Sequence, residues 1–233
     1  VADLDDELLI GAGTMGPGGE VTEPFSGAID DVYVLRLALS ADEVTALYRE
    51  APALHLRFEE GHGATRFADG SGNGHDGRCD AGTAEATDSC PQAGPAIQGW
   101  MGLGAAFDGR GDQVVVSDTA SLDLNAVTVG VWVRPDEQSG AHPQELVGKY
   151  EESNANIDDK EAVNYRLYIG SNGLYPAFEL EGDTTSVSRA TATSAVPLVK
   201  GAWNHVMGVF DGDWVRIYVN GWEQGKTSYM GGS

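Results

Sequence analysis

The chain reads as an all-β protein, two antiparallel sheets packed face to face with one short helix, and three observations predict this. Val, Thr, Tyr and Trp recur in short runs bounded by Gly, Asp and Asn, the punctuation of strands and tight turns. Along Val127-Thr-Val-Gly-Val-Trp-Val133, Val129, Val131 and Val133 fall on one face and Gly130 and Trp132 on the other, the period of two that a strand requires. Thirty-two glycines and a single helical pattern leave little room for any other class, and 233 residues fit one sandwich of about 200–250 residues.

In chain order, Leu8-Leu9-Ile10 and the long run from Gly27 to Leu39 are the first strands. Ser40-Ala-Asp-Glu43 is a capping box, and Val44, Leu47 and Tyr48 supply the apolar stripe of a helix that ends before Pro52 and is expected to cap one end of the sandwich. Strands are then expected at Leu54–Phe58, Gln113–Val116, Val127–Val133, Glu145–Tyr150, Tyr165–Ile169 and Tyr175–Leu180. From Gly201 to Gly221 two strands flank a tight Asp211-Gly212-Asp213 turn and close on a second turn at Asn220-Gly221.

This last hairpin, with Trp203, His205, Val206, Asp211 and Gly212, resembles the W-x-H-V-x-x-x-x-D-G hairpin of laminin G-like domains, the concanavalin A-like jelly rolls that also include pentraxins. Phe107-Asp108-Gly109 and the stretch from Val129 to Pro135 match further motifs of that family. Family domains continue after this hairpin with one more strand, a long final strand and a helix. Here the matching ending is Leu8–Gly11 followed by Gly27–Tyr48, at the opposite end of the chain. The resemblance therefore implies one jelly-roll sandwich over residues 1–233 in permuted order, with 1–50 the C-terminal strands and helix of the family fold and 53–233 its N-terminal and central strands. Residues 1–50 are expected to complete the sandwich, since adjacent termini make permutation cheap. Exchange with a neighbour in a tandem array is the alternative to this monomer.

A formal net charge of −22, from 36 acidic and 14 basic residues, disfavours nucleic acid and anionic bilayers and favours cations. No apolar run reaches the length of a membrane span. Cys79 and Cys90, the only cysteines, do not suit a redox or zinc pattern, and a disulfide pinning a loop is expected, with two buried thiols as the alternative. Such a bridge implies an oxidising, extracellular or cell-surface setting.

The strongest chemical signal is Asp69-Gly-Ser-Gly-Asn-Gly-His-Asp-Gly77, where alternating glycines can turn carbonyls inward while Asp69 and Asn73 offer hard oxygens, as Ca2+ prefers. It resembles the D-x-S-G-N loop of bacterial laminin G-like jelly rolls, which often holds a structural calcium. By that resemblance the ligand set is Asp69, Asn73, His75 and one of Asp30 and Asp31, with Asp30 preferred because Asp31 shares its parity with Ile29, Tyr33 and Leu35. The alternative is an ordinary Asx-bonded turn. EF-hand spacing is absent. A second calcium is considered at Asp158, Asp159, Glu161 and Asn164, in a long acidic loop where the pentraxins place a bridging ion, although the acidic run that pentraxins carry after Gly11 is missing.

No strand carries the E-x-D-x-x-E pattern of glucanases sharing this fold, Glu179 and Glu181 lack a third partner, and no nucleophile motif is present, so no enzyme is expected. Among the aromatics, Trp132 and Trp203 occupy family core positions and are expected to be buried. Trp214, Trp222 and Tyr150 are the expected ligand contacts, rings at turns or strand ends that can stack on a sugar or anchor a partner. The function expected is an extracellular, calcium-binding recognition module for carbohydrate, or else an adhesive repeat that binds protein or its own neighbours.

Overall fold

A computed structural model describes residues 8–13, 23–35, 38–40, 44, 52–79, 90–136, 142–150, 163–171, 173–181 and 189–229, with the side chains of Asp30, Asp31, Tyr33, Pro95, Ala96 and Val163 outside the description. Two eight-stranded antiparallel sheets face each other. Sheet I runs β13 (Arg189–Thr193), β12 (Pro176–Glu181), β11 (Val163–Ile169), β10 (Gln144–Tyr150), β1 (Leu8–Ile10), β8 (Val114–Val116), β5 (Gly77–Arg78), β4 (Arg66–Phe67). Sheet II runs β16 (Trp222–Ser228), β15 (Trp214–Val219), β14 (Asn204–Phe210), β9 (Val127–Pro135), β2 (Ser26–Leu35), β7 (Leu103–Asp108), β6 (Gln92–Gln98), with β3 (Leu54–Leu56) paired to β2.

The N-terminal strands sit at the centre of both sheets. β1 lies between β8 and β10, and β2 between β7 and β9. Their alternation explains why they insert there: Leu8, Ile10, Ile29, Val32 and Val34 all enter the core between the sheets. A register shift between Asp30 and Tyr33 changes the phase of β2, so Val32 and Val34 follow Ile29 into the core while Leu35 faces outward. The single parity expected for Ile29, Asp31, Tyr33 and Leu35 is thereby overturned. A bulge places one extra residue on one strand, which no period-two reading anticipates.

Val44 is helical, its amide donating to the Ser40 carbonyl at 2.9 Å. The rest of the expected helix, including Glu43, Leu47 and Tyr48, lies outside the described residues. Leu39 and Val44 pack with Leu35 on Met207, Val209 and Tyr218 of sheet II. This segment therefore covers an outer sheet face rather than the end of the sandwich, because β14 alternates Val206 and Phe210 inward with Met207 and Val209 outward.

The Asn220-Gly221 turn has φ of 51° and 83°, the left-handed pair that a two-residue hairpin demands. Cys79 and Cys90 form a disulfide with Cα atoms 5.0 Å apart, as expected from the sequence. Among the described residues no helix is long and apolar enough to cross a membrane.

Candidate functional site

Asp69 stands at the head of the glycine-rich loop, bridged to Leu56. Its Oδ1 accepts the amides of His55 (3.0 Å) and Ser71 (2.9 Å), and its Oδ2 accepts the Ser71 hydroxyl (2.6 Å) and the His75 amide (3.0 Å). A carboxylate offers about four lone-pair positions, so these donors saturate it. Burial pushes the Asp69 carboxyl up, but the bonds from Ser71, His75 and His55 outweigh it and hold the group below its ordinary value. Asn73 turns its amide nitrogen to the carbonyls of Pro52 (3.3 Å) and Ala53 (3.0 Å), and the His75 ring meets the Ser121 hydroxyl at 2.8 Å.

Among the described side chains of the expected set, the Asp69 carboxylate is saturated, the Asn73 amide nitrogen faces two backbone carbonyls and the His75 ring is engaged by Ser121, so Asp69 has no lone pair left over for an ion. Among the described residues no three His, Cys, Asp or Glu side chains converge as a metal site. The side chains of Asp30 and Asp31, and all of Asp158, Asp159 and Glu161, lie outside the described residues. Asn164 is described on β11, buried, with neither amide atom hydrogen-bonded.

Tyr150 is buried rather than presented to a ligand, because the pleat of β10 puts it on the covered outer face of sheet I beside Leu9 and Val115. Its hydroxyl donates to Glu145 Oε1 at 2.6 Å. Across that face, Arg166 Nε donates to Glu179 Oε1 and its Nη1 to Glu23 Oε2, both at 3.0 Å, with Glu145 Oε2 at 3.8 Å. Thr191 donates to Glu179 Oε2 at 2.7 Å, and Arg189 to Glu181 at 2.9 Å. Burial pushes the Glu145 carboxyl well above the ordinary range against the opposing charge of Arg166. Burial works against the Arg166 charge too, yet Glu145 and Glu179 more than offset it and raise its pKa. The strand register brings this network together, pairing Arg166 with Glu179 and Glu145 with Tyr168 across neighbouring strands. No spacing in the sequence signals it, since its members come from five separate segments.

The exposed site lies on sheet II. Trp132 is not buried: with Val129, Val131 and Val133 turned inward, its ring faces outward and stacks on Trp100, centroids 4.1 Å apart and planes 9° from parallel. His205, its cross-strand partner, lies 5.1 Å from the same ring. Trp203 is likewise only half-buried, with the Arg134 guanidinium 5.4 Å above it. The next step outward is Asn220, whose Oδ1 accepts the His205 amide and whose own amide donates to the His205 carbonyl. Trp222 follows the turn, 76% exposed. Backbone bonds from Ala195 to Gln224 and from Leu198 to Leu174 bring exposed Val196, Val199 and Tyr175 to the same end. Trp214, also exposed, stands apart beside the 211–213 turn with Lys226 over its ring at 4.7 Å. The sequence signal for the stack was the odd phase of Trp132 against its three valines.

No curated protein and no solved structure matches the chain. A laminin G family model, described as the concanavalin A-like lectin/glucanases superfamily, matches residues 108–233. That span is more than half of the sequence and contains β8 to β16, the strands that carry the outward tryptophan, the hairpin and most of sheet I. With an all-β sandwich of two antiparallel sheets beside it, this match assigns the fold and the lineage together: the chain belongs to the concanavalin A-like lectin/glucanases superfamily.

Proposed function

We propose that the protein is a non-enzymatic, extracellular recognition module that binds carbohydrate through the aromatic end of sheet II. The observation that carries this reading is the Trp100–Trp132 stack with the His205 ring beside it, half-exposed or exposed rings on the outer face of sheet II, while Trp222, paired with core-facing Val219, is exposed separately at the sheet's edge. Flat rings with polar edges stack on the apolar faces of sugars at little entropic cost. The superfamily's members are generally carbohydrate- or protein-binding modules, and the disulfide suits an oxidising compartment. An uncharged glycan also meets no repulsion from a chain of net charge −22. The acidic stretch with Asp158, Asp159 and Glu161 carries the calcium requirement of this proposal. The permuted order belongs to it as well, supported by the central places of β1 and β2 and by a family match confined to 108–233.

A second reading, adhesion to a protein partner, is favoured by exposed Met101, Val196 and Val199, which offer apolar surface without rings. A broad glycan and polysaccharide array, probed with labelled protein in calcium and in EDTA, separates the two. Selective binding that Trp222→Ala and Trp100→Ala abolish supports the proposal. A blank array with folded protein overturns it in favour of the protein partner, and binding unchanged in EDTA removes calcium from it.

A further inference from the structure

Lys149 occupies a position where a lysine is expensive. On β10 it pairs with Tyr165 and points into the core with Val147, its side chain 1% exposed. A buried ammonium needs partners, and a single carboxylate would neutralise it. Two are supplied: Nζ lies 3.1 Å from Asp118 Oδ1 and hydrogen-bonds Asp123 Oδ1. Both aspartates belong to the connection between β8 and β9, on either side of the short 3-10 turn Ala120–Leu122. Asp123 is the more deeply set, its side chain 10% exposed against 21% for Asp118. Its Oδ2 is buried without a hydrogen-bond partner, as is the hydroxyl of Tyr165 beside it.

An amine hydrogen-bonded to a carboxylate oxygen in a largely buried pocket, with a second carboxylate in contact with the same nitrogen, holds the two groups in the proximity that amide formation requires. We propose that Lys149 and Asp123 become covalently joined through their side chains. Nζ attacks Asp123 Cγ, a C–N bond forms, and one Cγ–O bond breaks. Starting from the ammonium–carboxylate pair, two protons pass from the nitrogen to the departing oxygen, which leaves as water. Asp118 relays them and ends unchanged, and its partial exposure gives the water an exit. No oxidant, metal or co-reactant enters the balance. The product replaces a buried ammonium and a buried carboxylate by one neutral amide, removing the desolvation cost that the ion pair carries. It also ties β10 to the β8–β9 connection, 26 positions away, on the same sheet that the Cys79–Cys90 disulfide adjoins.

Intact mass under reducing, denaturing conditions tests this on the purified chain. The wild type is expected one water lighter than its sequence, and peptide mapping should yield a branched peptide joining 149 to 123. Lys149→Arg, which keeps the charge, and Asp118→Ala should both return to the full mass, each with near-UV circular dichroism showing a folded sandwich. Full mass in the wild type, a branch mapped to Asp118, or a water loss that persists in Lys149→Arg would overturn the proposal. Dehydration at an Asp-Gly step would give the last of these results.

Discussion

The outer faces of the two sheets meet opposite demands. On sheet I, Glu145, Arg166, Glu179 and Tyr150 are polar groups that the surrounding structure covers, and every charge there is held by another. On sheet II, Trp132 and Trp100 are apolar rings that remain partly open to solvent. Buried charge ties the stability of sheet I to pairing and pH, because each member becomes costly when its partner is lost. Exposed rings contribute little to stability and so can be selected for contact. The difference teaches where to look for function: the face where polar groups converge is the structural one, and the face where apolar groups stay exposed is the recognition surface of the proposed function.

The sharpest way to break this comparison is to remove the hub of sheet I. Arg166→Met leaves Glu145, Glu179 and Glu23 without their shared cation, and a loss of about 3–5 kcal/mol is expected. Urea unfolding measures it. A cost of less than about 1 kcal/mol, the range of an exposed ion pair, would show that the network is solvated and sink the contrast between the faces.

Asp69→Ala is expected to cost about 1–3 kcal/mol, since four donors lose one acceptor group. Because the folded structure holds this carboxyl below its ordinary value, its contribution is present above the usual aspartate range and fades as pH falls through the folded value. The cost should be the same in calcium and in EDTA. A calcium-dependent cost would restore the ion to the loop.

Glu145 behaves in the opposite sense. Its folded carboxyl is raised by burial, so the stability it contributes is complete below the ordinary glutamate range and is lost as pH rises through the folded value. The groups facing it are Arg166, Glu23, Tyr150 and, across the sheet, Tyr168 and Glu179. One titrating proton gives a slope of at most about 1.4 kcal/mol per pH unit. Thermal melts from pH 4 to 8 should show that slope in the wild type, with Glu145→Gln flattening it. Parallel curves for the two proteins would mean that Glu145 is ionised when folded.

The strands were legible in the sequence wherever one face repeated, as in Val129, Val131 and Val133. The jelly roll followed from the Trp203–Gly212 motif and the Phe107-Asp108-Gly109 turn. The phase of β2 was not legible, because a bulge leaves no compositional mark. Trp132 shows how a motif can mislead: its family position suggested burial while its own alternation put it outside, and the alternation was right. The network of sheet I was invisible because Glu23 and Arg166 meet across 143 positions, and only the register of the sheet brings such residues together. The Asp69 loop was expected to hold calcium, with an Asx-bonded turn as the alternative, and a carboxylate that binds an ion and one that caps backbone amides share the same residue types.

The smallest expected effect on stability is also the one that decides function. At 76% exposure Trp222 has little to lose on unfolding, and Trp222→Ala should move the unfolding free energy by no more than about 0.5 kcal/mol. If the ring is a sugar platform, the same substitution should weaken glycan binding tenfold or more, about 1.4 kcal/mol. Trp132→Ala is the necessary companion, because that ring is packed between Trp100 and His205 and its loss should reduce stability and binding together. Paired calorimetric and chemical-unfolding measurements on the two variants separate a ring that holds the sheet from a ring that holds a ligand. A Trp222→Ala variant that binds like the wild type would confine the platform to the Trp100–Trp132 stack.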